Sequence, residues 1–225
     1  MATSSPWSAA VRGAGATVVT LFGGTLVGVI LGEIIFEVLP GHSLEAPRPL
    51  NIALAAIPAV SGLLAGSAAW GILMGRLARF GNGRRMAVAG ILGFVPITIV
   101  LAVALLSLEP IAVEQLGSQL PVHRVFTLFF VPTAFLIGGA SAWAIGRGLN
   151  DGTQAWRMAL RVGLVSAAAF LVINLAMEAA GWVVGAPRAA ERFTMLTVMF
   201  AGMIGAALTG GFVLGWTLAK RPPTM

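Results

Sequence analysis

Long apolar runs separated by short polar turns organise this chain from end to end. Six runs, at about 13–39, 52–75, 86–108, 125–146, 158–180 and 194–219, each reach the ~20 residues a helix needs to cross a hydrocarbon layer. Near the middle of the runs the sequence offers hydroxyls, glycines and little else that is polar. The pattern predicts an all-α membrane protein of six transmembrane helices in a compact bundle. Residues 1–225 form one integral membrane domain. Arg12 stands ahead of the first run as it would in a signal peptide. The run is too long for a signal sequence, so a retained first span is expected.

The turns repeat. Trp70, Arg76, Asn82-Gly83 and Arg85-Met86-Ala87 find an echo in Trp143, Arg147, Asn150-Asp151-Gly152 and Arg157-Met158-Ala159. Trp70, Trp143 and Trp216 are spaced by 73 residues. The last run repeats the first half of this unit and ends in Lys220, while the first run repeats the second half, from Arg12 to Glu33 and Glu37. Three helix hairpins result, with one copy split between the two ends of the chain, and a threefold pseudo-repeat is expected.

Composition supports the membrane class. The chain is 58% hydrophobic and 10% charged, with a mean hydropathy of +0.93, whereas a soluble domain carries about 25% charged residues. Cysteine is absent, which removes disulfides, thiolate metal sites and a cysteine nucleophile. The net charge of +6 arises from residues in the short turns, so it predicts topology and no nucleic-acid partner. With the N-terminus inside, ten basic residues fall inside: Arg12, Arg76, Arg79, Arg84, Arg85, Arg147, Arg157, Arg161, Lys220 and Arg221. Four fall outside: Arg48, Arg124, Arg188 and Arg192. Both termini are therefore expected on the cytoplasmic side of a bacterial cytoplasmic membrane. Trp70, Arg76, Arg84, Arg85, Trp143, Arg147, Trp216 and Lys220 are expected to anchor the bundle at the inner interface.

Small residues recur every four positions in the first span, at Ala16, Thr20, Gly24, Gly28 and Gly32, and again in the fourth at Gly138, Ala142 and Gly146. Such stripes let a neighbouring backbone approach closely. They serve either the bundle's own packing or a partner helix. Glu33 and Glu37, four residues apart, place two carboxylates on one helix face near the outer leaflet, and Asn174 and Glu178 share that spacing. An ionisable group in hydrocarbon is costly and marks a site by default, so these four residues are a candidate ion, proton or ligand site. The plain alternative is that they reach the outer interface. His42 and His123, with Glu45, Glu109 and Glu114, are chemically suitable metal ligands, but no ligand spacing joins them and no metal or other cofactor is expected.

Enzyme templates find no match: there is no His-Glu-x-x-His motif, no Walker loop, and the only aspartate is Asp151 in a turn. The function expected is a non-catalytic membrane subunit or scaffold. It would sit among membrane lipids and pack against a partner membrane subunit or a second copy of itself. The alternative is a small-solute or ion transporter, or the membrane substrate-binding component of one, using the outer-leaflet carboxylates.

Overall fold

A computed structural model describes residues 5–38, 49–116, 122–182 and 188–221. Within these, the side chains at 36, 49–53, 55, 102, 105–116, 122–123 and 188–196 lie outside the description. The described residues are helical, with no strand among them, and six helices are long and apolar enough to cross a membrane. The first span has three parts: α1 (Pro6–Ala16), a π-helical turn (Thr17–Phe22) and α2 (Gly23–Val38). The other five are α3 (Pro49–Leu77), α4 (Gly83–Leu116), α5 (Val122–Gly148), α6 (Gly152–Ala179) and α7 (Arg188–Ala219).

Most helices overrun the apolar stretches expected of them because their stop and start signals lie in the turns. Arg79, Asn150 and Gly181 take left-handed backbone conformations, with φ of 57°, 62° and 77°. At each, the following N–H reaches back to close the helix end: Phe80 to Gly75 O, Asp151 to Gly146 O and Trp182 to Met177 O. Three helices then begin on a side-chain cap. Ser5 Oγ accepts from Ser8 N, Asn82 Oδ1 from Arg85 N, and Asp151 Oδ1 from Gln154 N.

Each helix packs on the next in sequence, α2 on α3 through to α6 on α7, and α7 returns to pack on α1. The spans form a ring. Inside it α3, α5 and α7 also touch one another, while α4 and α6 are clasped on the outside between two of these. The described ends lie on the same side as the turns at 78–82 and 149–151, because Arg221 forms an ion pair with Asp151 and Trp7 meets Trp216 edge-on. We call this the turn face. Arg85 crosses it to donate to Asn150 Oδ1 and, at 3.3 Å, to Arg147 O, which ties one turn to the other. Burial pushes the Asp151 carboxyl up, but its bond from Gln154 N and the guanidinium of Arg221 outweigh this and hold it below the usual carboxylate value.

Close helix approach rests on glycine. A Cβ on Gly24 would stand 2.9 Å from Gly66 Cα in α3, and one on Gly13 would stand 2.9 Å from Gly215 Cα in α7. Positions 13 and 24 are eleven apart, about three α-helical turns, so in an unbroken helix they would share a face. The π-turn unwinds the span by roughly one residue, about 100°, and sends the two glycines to different neighbours. Of the small-residue stripe of the first span, Thr20, Gly24 and Gly28 meet α3, while Gly13, which stands outside the stripe, meets α7.

A methyl group at Gly62 would run into the backbone of Gly24 and Gly28, whereas one at Gly23 meets nothing within 4 Å. Gly62→Ala should therefore lower the thermal midpoint in detergent, by an amount equivalent to about 1–3 kcal/mol. Gly23→Ala should raise it slightly, because alanine favours the helix by about 1 kcal/mol. Equal shifts in one direction would contradict this account of the α2–α3 contact.

Candidate functional site: a central apolar cavity

The middle of the ring is not filled. A cavity of about 80 Å³ lies between the helices, and every span contributes to its wall. Thr17, Leu21 and Phe22 come from the π-turn, Trp70 from α3, Phe94 from α4, and Ser141 from α5. Val162 and Ser166 of α6 and the small residues of α7 around Gly210 complete it. On the turn-face side the space is closed by a packed core that includes Met74, Met86, Ala142, Ile145 and Leu218. Further along α5 in the other direction, Phe130 stacks on Phe170 with ring centroids 6.0 Å apart.

The wall is hydrocarbon with four polar side chains. The indole of Trp70 is buried and donates from Nε1 to Thr17 Oγ1 at 3.0 Å, and that hydroxyl donates to Gly13 O at 2.8 Å. Ser166 Oγ donates across to Ala206 O at 3.2 Å. Ser141 Oγ is the exception: it is buried and has no hydrogen-bond partner. Most described hydroxyls in the spans, among them Thr20, Thr25, Ser67, Thr98 and Thr133, donate to the carbonyl four residues earlier. A buried hydroxyl without a partner costs about 1–3 kcal/mol, which sets Ser141 apart from the other polar side chains of the wall. Among the described residues, no carboxylate, imidazole or basic side chain lines the space.

The residues singled out by sequence occupy several places. Glu33 and Glu37 are on the exposed surface of α2. Asn174 is buried and donates to Phe170 O of its own helix at 2.8 Å, and Glu178 accepts from Arg124 at 2.7 Å. None of these four lines the cavity. Gly24 and Gly28 lie against α3, and Gly32 is buried. Gly138 lies against Ser166, Gly146 against Ala155, and Ala142 is fully buried in the core, so these positions pack within the chain.

Among the tryptophans, Trp143 is exposed with the Arg147 guanidinium 5.8 Å from its ring, and Lys220 Nζ is 4.7 Å from Trp216. Trp70 differs from the interfacial anchor expected. It is 2% exposed, because Thr17 offers its indole a hydrogen-bond partner inside the ring. Arg76 and Arg84 are exposed near the first turn. The side chains of His42, His123, Glu45, Glu109 and Glu114 lie outside the described residues. Sequence reasoning missed the cavity itself. Its one legible sign was serine and small residues facing each other on α5, α6 and α7, a pattern that close packing produces equally well.

Comparison with protein families, curated proteins and solved structures returned no match. The functional reading therefore stands on the geometry of the site.

Thr17→Val would leave the buried indole N–H of Trp70 without an acceptor and should destabilise the protein by about 1–3 kcal/mol. Ser141→Ala removes a hydroxyl that has nothing to bond and should be neutral or stabilising in ligand-free detergent. Chemical or thermal unfolding of the two variants side by side checks this; equal losses would mean that Ser141 has a partner within the chain.

Proposed function

We propose that this six-span membrane protein is a non-catalytic binding component that holds a small lipophilic molecule at the centre of its ring. The observation that carries this reading is the cavity, apolar on all sides, with one buried hydroxyl left unpartnered in its wall. An engineered cavity of roughly 150 Å³ with such a lining stays dry and takes up benzene or xenon. At about 80 Å³ this one has room for a smaller guest. Water is a poor occupant, because an ordered water needs 2–4 polar partners and the wall offers few. An ion or charged solute is disfavoured for the same reason. The reading is thus the substrate-binding form of the transporter alternative, without a role for the outer-leaflet carboxylates.

The test uses Trp70 as the reporter. The other five tryptophans (Trp7, Trp143, Trp156, Trp182 and Trp216) are replaced by phenylalanine, and the protein is placed in lipid nanodiscs. A short bromoalkane should quench Trp70 saturably. Ala134→Leu, which pushes three further carbons into the cavity, should remove the saturable part. Quenching that rises linearly and ignores Ala134→Leu would overturn the proposal.

A second reading, a membrane subunit or scaffold that packs against a partner helix or a second copy, is favoured by α2. Among its described residues only Gly28 and Gly32 are buried, which leaves much of its described surface to lipid or to another helix. Recovery of a lone, monodisperse chain after gentle extraction would count against it.

The architecture we assign is a threefold pseudo-repeat of α3–α4, α5–α6 and α7–α1, with both termini in the cytoplasm. What supports the repeat is that α1, α4 and α6 each begin on a side-chain cap at the turn face and that α3, α5 and α7 meet inside the ring. What supports the orientation is the basic character of that face, which holds Arg76, Arg84, Arg85, Arg147 and Arg221. A circular permutant joining Arg221 to Ser5 through a short linker, with new ends at Gly81 and Asn82 carrying a cytoplasm-dependent reporter, should fold with the reporter active. A permutant that does not fold sinks the repeat. One that folds with a silent reporter sinks the orientation.

A further inference from the structure

The outer flank of α6 carries charge on a face otherwise built for lipid. α6 is clasped between α5 and α7, and its buried positions, among them Ala159, Val162, Ser166 and Phe170, recur at helical spacing on one side. Leu160, Leu164, Leu171 and Leu175 line the opposite side and are exposed. Arg157 and Arg161 stand on that exposed side, four residues apart, so their side chains are neighbours on one helix face.

Arg161 starts below the interfacial belt. α5 and α6 run antiparallel and touch where a Cβ on Gly146 would meet Ala155, so Trp143, three residues before Gly146, is level with Met158. Trp143 and Trp156 are both exposed, as indoles at the edge of the hydrocarbon are. Arg161 lies three residues past the level of Trp143, about 4.5 Å further into the apolar layer. An ionisable side chain within a span usually turns to the interior of its bundle and pairs there. Arg161 faces outward, and among the described residues neither it nor Arg157 takes part in an ion pair or a hydrogen bond. The described carboxylates offer no substitute. Asp151 is paired with Arg221, and Glu33, Glu37 and Glu178 lie at the far end of their spans.

Like charges four residues apart repel, and an anion between them relieves this. From its depth the Arg161 side chain extends back along the helix towards the headgroup layer, keeping its stem in hydrocarbon. The group it meets there is phosphate, which a guanidinium holds through two parallel N–H bonds.

We propose that Arg157 and Arg161, bordered by Trp156, form a headgroup site for an anionic phospholipid on the turn-face flank of α6. The phosphodiester sits between the two guanidinium groups, and the acyl chains lie along Leu164 and Leu171. Two positive charges without a described counter-charge favour a headgroup of net negative charge over a zwitterionic one, whose ammonium they would repel. The site is separate from the central cavity and does not depend on its occupant.

One form of the protein keeps Trp156 and the buried Trp70, with Trp7, Trp143, Trp182 and Trp216 replaced by phenylalanine. A companion keeps Trp7 in place of Trp156; the two indoles are 63% and 62% exposed, respectively, so they sample lipid to a similar extent. Both are reconstituted in phosphatidylcholine vesicles with rising fractions of dibrominated phosphatidylglycerol, or of dibrominated phosphatidylcholine as the zwitterionic probe. Quenching of Trp156 should show the anionic lipid preferred at least about fivefold, the effect of one basic side chain near an anionic lipid surface. Trp7 should show a smaller preference. Arg161→Gln should bring Trp156 down to the level of Trp7. Arg161→Lys should leave an intermediate preference, because an ammonium keeps the charge without the paired N–H bonds.

Equal preference at Trp156 and Trp7, or a preference at Trp156 that survives Arg157→Gln combined with Arg161→Gln, would reduce the effect to the general attraction of a basic face and overturn the site. Equal quenching of Trp156 by the two lipids would overturn the lipid as occupant and leave the pair to a carboxylate of a partner helix.

Discussion

Lipid tails are as apolar as leucine side chains, so helices in a bilayer gain little by hiding hydrophobic surface from their surroundings. They associate where backbones can approach closely enough for dispersion and weak polar contacts to accumulate. All six contacts around this ring meet that constraint with glycine: Gly13 against α7, Gly24 against α3, Gly71 against α4, Gly93 against α5, Gly146 against α6 and Gly210 against α6. At each, an added Cβ would strike backbone or a side chain of the neighbour. These glycines are in this sense the adhesive of the bundle. Close approach also explains why the middle can be empty, for six helices held at backbone contact around a circle leave a space that small residues do not fill.

Polar chemistry is segregated accordingly. Hydroxyls in the spans mostly satisfy themselves within one helical turn, which leaves Trp70–Thr17 and Ser166–Ala206 as polar links between helices. Charge pairs lie at the margins. Asp151 pairs with Arg221 on the turn face, where Arg85 also donates to Asn150 Oδ1 and Arg147 O, while Arg124 with Glu178 joins α5 to α6 at the opposite end. The interior carries shape and the ends carry charge. A site built in such an interior selects by size and by the position of a single polar atom.

The six spans and the turns between them were legible because length and hydropathy decide membrane insertion almost alone. The break in the helical form of the first span was not: residues 17–22 form a π-turn, and a π-turn has no sequence signature that periodicity can detect. Trp70 read as an interfacial anchor beside Trp143 and Trp216, yet a threonine 53 residues earlier takes its indole into the core. Glu178 read as part of a candidate carboxylate site with Glu33, whereas Arg124, across a helix interface, supplies the charge that Glu178 meets. In the last two cases the deciding residue lies on another helix, beyond the reach of spacing along one.

The contact that closes the ring joins α1 to α7, the two extremes of the chain. Membrane spans are made and inserted in order, so α1 enters the bilayer long before α7 exists. Until the final span arrives, Gly13 and Thr17 have no α7 to pack against, and the wall that α7 supplies is missing. The order of synthesis therefore makes the central space the last part of the molecule to exist. A chain stopped before α7 is five helices in an open arc, held by the same glycine contacts but enclosing nothing.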